Sequence, residues 1–240
     1  MDRRSRGAHH QGLGELKIMR TFAELYARAA RRKGGAAKLE TMIPATRSAT
    51  DLRTISDDRW LASMTQGVFQ AGFVWRVVEH KWPGFEAALR GFDPHAVAYL
   101  SDEDIEQLVG DTRIIRHHSK LLATRANAQF VLDLATEHGS AGAFFAGWSP
   151  NRYAELLTVL KKRGARLGGM TGQYFLRRMG LDSWVLSQDV VRVLVDEGVL
   201  HRPPSSQRDL AAVQAAFDGW CEQSGRGLTA VSRVLALSID

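Results

Sequence analysis

Ten residues, Leu167-Gly168-Gly169-Met170-Thr171-Gly172-Gln173-Tyr174-Phe175-Leu176, constrain the fold of this 240-residue chain more than any other stretch. They separate a basic amphipathic segment, Leu156 to Arg166, from an apolar segment that closes at Met179-Gly180. Two adjacent glycines, two more residues and a third glycine at the mouth of an apolar run predict a helix, a tight hairpin and a second helix. Glycine permits positive φ and close backbone approach. The unpaired amides at the start of the second helix point outward, where an anion can meet them. With Lys161, Lys162, Arg163, Arg166, Arg177 and Arg178 beside the hairpin, a DNA phosphate suits the site. An ordinary helical hairpin closed by a glycine cap is the competing reading.

The charge pattern favours the first reading. Net charge is +6, but residues 1–33 hold nine Lys/Arg against three Asp/Glu and account for all of it. The neutral remainder is segregated. Residues 101–111 carry five acids and no Lys or Arg, residues 112–132 four Lys/Arg and no acid, and residues 160–181 six Lys/Arg and no acid. Two local basic patches on a neutral body fit a phosphate-binding face better than a diffuse polycation. Solvated helix faces produce the same pattern, so it is supporting evidence. The single cysteine, Cys221, excludes an internal disulfide and a multi-cysteine zinc site. No apolar run approaches a membrane span, and residues 1–11 lack the apolar core of a secretory signal, so a cytoplasmic location is the expectation.

Helix signals recur along the chain and strand-type alternation is nearly absent. Residues 1–20 read as a flexible leader, with Met19 a candidate start, and residues 21–240 as one helical domain. Phe22, Leu25, Tyr26 and Ala29 recur at helical spacing up to Gly34-Gly35, and residues 44–55 read as a loop. Asp57-Asp58 starts a helix through Trp60, Leu61 and Met64. The apolar stretch from Val68 to Trp82 is interrupted at Ala71-Gly72 and ended by Pro83-Gly84, after which Phe85 to Leu89 starts another short helix. Asp93-Pro94, then Ser101 with Asp104, mark two more starts. Helices are also expected over Asn127 to His138, Asp189 to Val195, from Ser206 with Asp209 through Trp220, and over Leu228 to Leu237. The sum is an all-α protein of roughly ten short helices, with the hairpin element at about residues 156–180 and a C-terminal helical extension at about residues 203–240.

The segment Phe69-Gln70-Ala71-Gly72-Phe73-Val74-Trp75 resembles a motif of the DNA-3-methyladenine glycosylase I family, Gln-Ala-Gly followed, after two intervening residues, by tryptophan. The likeness continues through Phe92-Asp93-Pro94, Ile114-Ile115-Arg116-His117-His118-Ser119-Lys120, Ala126-Asn127-Ala128 and Leu160-Lys161-Lys162-Arg163-Gly164 to Gly180-Leu181. It implies a bilobal all-α glycosylase of the helix-hairpin-helix superfamily, which flips a damaged base out of duplex DNA and hydrolyses its N-glycosidic bond. The implied substrate is an alkylated purine such as 3-methyladenine, and the implied partner is damaged duplex DNA. No cofactor is implied, and a monomer is favoured. Residue by residue, Trp75 matches the pocket tryptophan and Gln70 a glutamine able to read a base edge. Phe73 stands where an apolar wedge fills the gap left by the flipped nucleotide. Gly168, Gly169 and Gly172, with Lys161, Lys162, Arg166, Arg116 and Lys120, are the candidate backbone contacts.

Two departures from the family pattern bear on substrate. The family's base-recognising glutamate falls at Gly67, with Gln66 the nearest polar substitute. The late positions of the family's zinc site are Asp189 and Val193, so no metal is expected; the extension would close the termini instead, through Phe217, Trp220 and Leu235. Asp189 has two readings, a carboxylate that takes part in bond cleavage and a helix-start residue that compensates the dipole. The alternatives to 3-methyladenine excision are a damage-binding protein without excision and a glycosylase for other alkylated bases.

Overall fold

Serine and threonine caps set many of the helix starts in the computed structural model, which describes residues 19–239. Thr21, Ser48, Ser101 and Ser206 each accept the backbone N–H of the third helical residue. Glu24, Asp51, Asp104 and Asp209 reach back to the cap, satisfying a second free donor. Fifteen α-helices result among the described residues, with no strand. They are α1 (Phe22–Lys33), α2 (Ala36–Glu40), α3 (Ala49–Thr54), α4 (Asp57–Gln70), α5 (Trp75–His80), α6 (Trp82–Ala88), α7 (Pro94–Ala98) and α8 (Asp102–Gly110). After them come α9 (His118–His138), α10 (Ala141–Ala146), α11 (Tyr153–Arg163), α12 (Gly169–Met179), α13 (Gln188–Asp196), α14 (Gln207–Ser224) and α15 (Leu228–Leu237).

The all-α class is as expected, but the helices outnumber the ten read from the sequence. Residues 44–55 are not all loop, because the Ser48–Asp51 capping box starts α3. Pro83-Gly84 does not end a helix. Trp82 and Pro83 open α6, where proline's missing N–H costs nothing. The helix expected from Asn127 begins nine residues earlier, at His118, and stops at Gly139 as read.

Two groups of helices are joined through α12 and α11, with α14 linking α11 to the second group. In one, α4 and α7 pack on α9, and Phe69, Trp82, Phe85 and Phe92 stack into one aromatic cluster. In the other, α1 and α13 pack on α15. Helix α12 lies against both α4 and α11. Trp60 of α4 stacks on Phe145 at 4.5 Å, and Phe175 of α12 meets both rings edge-on. The extension packs against α1: Phe217, Trp220 and Leu235 are fully buried, and Gln223 accepts the Phe22 N–H. Residues 1–18 of the expected leader lie outside the described residues. Arg20, at its end, donates its N–H to the buried Glu197 and accepts the Trp220 indole N–H. No helix among the described residues is long and apolar enough to cross a membrane.

Candidate functional site

Helix α4 ends at Gln70, and the chain turns through Gly72, at φ +80°, before α5 begins at Trp75. This turn carries an unusual run of exposed apolar residues, from Phe73 to Trp75. Lys120 of α9 holds it from below. Its side chain is buried, and its ammonium donates to the Phe69 and Ala71 carbonyls and sits 4.4 Å from the centre of the Phe73 ring. Burial first, and then the Arg166 charge, hold that ammonium below the usual lysine range. Lys120, expected among the exposed DNA-backbone contacts, is instead buried and anchors the turn.

A cleft of 230 Å³ opens between this turn and α12. Gly67, Gln70 and Trp75 line one side, and Thr171, Tyr174 and Arg178 the other. Trp75 is 47% exposed and meets Tyr174 edge-on at 5.5 Å, which leaves an indole face for a flat ligand. Arg178 donates to the Ser63 carbonyl and to Gln70 Oε1. Burial pulls its pKa down, with the Glu79 charge opposing. A larger cavity of 300 Å³ lies near Pro203 to Gln207, and Met170 borders both. The smaller cleft is the one that combines an exposed aromatic face with directional polar groups.

The hairpin is built as the glycine pattern predicts, but its glycines divide the work. Gly169 opens α12 at φ +58°, is exposed, and has open space where a Cβ would point. Gly172 is buried, and a Cβ there would stand 2.3 Å from the Leu167 carbonyl oxygen. Gly172, expected among the backbone contacts, is thus a buried packing glycine, unlike the exposed Gly169. Gly168 is half-buried against the Lys161 side chain. Asn127, fully buried on α9, clamps the turn by hydrogen bonds in both directions with Ala165.

The expected cations also divide. Lys161, Lys162, Arg116 and Arg166 are exposed, Arg166 with one bond to Ser119. Arg163 is paired with Glu137 at 2.7 Å. Arg177 turns inward to Ser183, and Arg178 into the cleft. Gln66 does not line the cleft, because one residue along a helix rotates its side chain by about 100° from Gly67. Asp189 is exposed in the first turn of α13, behind the Ser187 cap, and also lies outside the cleft lining. That position matches the dipole-compensating reading. Beside it Val193 is buried in the core, so these positions offer no donor set for the family's zinc. Burial pushes the half-buried Cys221 thiol up to about 12, which makes it inert rather than reactive.

Sequence reasoning missed Thr171, Tyr174 and Arg178 as cleft residues. The signal was present: positions i, i+3 and i+7 of a helix share one face.

Residues 53–164 match the methyladenine glycosylase family. DNA-3-methyladenine glycosylase 1 of Escherichia coli (strain K12) is 32% identical over a 133-residue alignment, with 47% of this chain and 70% of that protein covered. A crystal structure of 3-methyladenine DNA glycosylase I is 27% identical with a TM-score of 0.47, over 52% of this chain and 79% of the other. The Staphylococcus aureus 3-methyladenine DNA glycosylase I, solved for its 3-methyladenine recognition, is 21% identical with a TM-score of 0.49, over 65% and 91%. This chain belongs to the methyladenine glycosylase family.

Proposed function

We propose that this protein is a monofunctional DNA glycosylase of base-excision repair, which flips an alkylated purine out of duplex DNA and hydrolyses its N-glycosidic bond. The observation that carries this reading is the adjacency of Phe73 and Trp75, two exposed aromatics on one anchored turn, beside a cleft. Phe73 serves as the wedge that fills the vacated stack. Trp75 gives the flipped base a surface to stack on, and Gln70 and Arg178 meet its edge. The Gly169 amide and the exposed Lys161, Lys162, Arg166 and Arg116 hold the phosphates.

Separation of the bases released from alkylated duplex DNA tests the reading, with 3-methyladenine the first base to look for. Release of a modified base supports it. A second reading, damage binding without excision, is favoured by one observation: no carboxylate lines the cleft. Tight binding to damaged DNA with no base released would favour that alternative.

A further inference from the structure

The cleft holds a positive charge of its own. Arg178 is fixed there by the Ser63 carbonyl and by Gln70 Oε1, and a Cβ on Gly67 would stand 3.8 Å from its Nη1. Glycine at 67 therefore leaves free the space beside the guanidinium. Glu79, whose charge reaches Arg178, is exposed on α5 and does not line the cleft. Arg178 takes one lone pair of Gln70 Oε1, and the Gln70 amide nitrogen has two N–H groups to donate. The guanidinium also offers only donors, while the Thr171 and Tyr174 hydroxyls can either donate or accept.

Resting on the base-excision reading above, we propose that this cleft selects a neutral modified base that presents hydrogen-bond acceptors, such as a carbonyl or ring nitrogen, and discriminates against a positively charged one. Two like charges enclosed in a cleft of this size repel far more than they would in water. A donor-lined edge complements acceptors.

The chemistry of departure points the same way. When the N-glycosidic bond breaks, its electron pair goes to the base nitrogen. The sugar carbon takes the oxygen of water, and the proton that water releases goes to solvent when the base leaves neutral and to the base when it leaves as an anion. A cationic base leaves neutral and gains nothing from a guanidinium. A neutral base leaves with developing negative charge, and a donor already fixed at its edge stabilises that charge without reorganisation.

The test is single-turnover base release from duplexes carrying one lesion each. The cationic lesions are 3-methyladenine and 7-methylguanine; the neutral lesions are ethenoadenine, hypoxanthine and O6-methylguanine. Wild type, Arg178→Gln and Arg178→Lys are compared, with folding checked by thermal melting. Wild type should release at least one neutral base faster than either cationic base. Arg178→Gln should lower that neutral-to-cationic rate ratio by about tenfold or more, and Arg178→Lys should keep the wild-type order. Because the ratio is taken within one variant, partial loss of folded protein cancels. A wild-type preference for 3-methyladenine or 7-methylguanine, or a ratio unmoved by Arg178→Gln, overturns the inference and leaves base excision standing. Release of no base from any duplex overturns both.

Discussion

The side-chain amide of Asn127 closes two hydrogen bonds with the backbone of Ala165, accepting its N–H at 2.8 Å and donating to its carbonyl at 3.0 Å. This pair ties the hairpin between α11 and α12 to the middle of the longest helix. Asn127→Ala removes both bonds and leaves the two Ala165 backbone groups without their partner. The expected loss is about 2 kcal/mol, read as a lower midpoint in urea. DNA affinity should fall with it, because the hairpin loses its fixed position. An unchanged midpoint would mean that the clamp contributes nothing.

The two hairpin glycines should respond differently. Gly172→Ala drives a methyl group into the Leu167 carbonyl and should destabilise the fold by about 1–3 kcal/mol. Gly169→Asp enters open space and should cost only about 1 kcal/mol for its positive φ. Its charge stands where phosphate is proposed to bind, so affinity should drop for all DNA sequences alike. Gel-shift titrations over a range of salt check this: wild-type affinity should fall steeply with salt. Unaltered binding by Gly169→Asp would remove the hairpin from the interface.

Phe73 is held between the Lys120 ammonium and the edge of His117, with 39% of its surface exposed. A wedge matters only where there is a gap to fill. Phe73→Ala should therefore weaken binding to duplex containing an abasic analogue more than binding to intact duplex. Equal losses on the two DNAs, measured by fluorescence anisotropy, would show that the ring only packs against the turn.

Local signals account for most of the fold. Capping boxes at Ser101 and Ser206, the glycine stop at Gly139, and the span of α15 all stand where the residues place them. Helix α3 was missed because Ser48 and Asp51 lie in a polar run with only Leu52 buried. The cleft was half legible. Trp75, Gln70 and Gly67 are joined by a local motif, whereas Arg178 reaches them from 108 residues away. Which arginine of the adjacent pair Arg177 and Arg178 turns into the cleft is decided by how α12 rolls against α4, and a count of basic residues does not contain that. The same holds for Lys120, which looks like a surface cation until the carbonyls of Phe69 and Ala71 are brought above it.

Asp189 stands at the start of α13, exposed and away from the cleft lining. Asp189→Asn should leave the rate of base release within about twofold of wild type and cost about 0.5 kcal/mol of stability through the helix dipole. A fall of about a hundredfold or more in single-turnover rate, on a protein with wild-type circular dichroism, would give this carboxylate a part in bond cleavage.

The central claim is that the cleft beside Trp75 receives a flipped base for excision. Single-turnover release of modified bases from alkylated duplex DNA, by wild type and by Trp75→Ala, tests it most directly. Wild type should release a modified base, and Trp75→Ala should release almost none while keeping its helical circular dichroism and its affinity for undamaged duplex. Full activity in Trp75→Ala would contradict the account, because the base would then be held somewhere else.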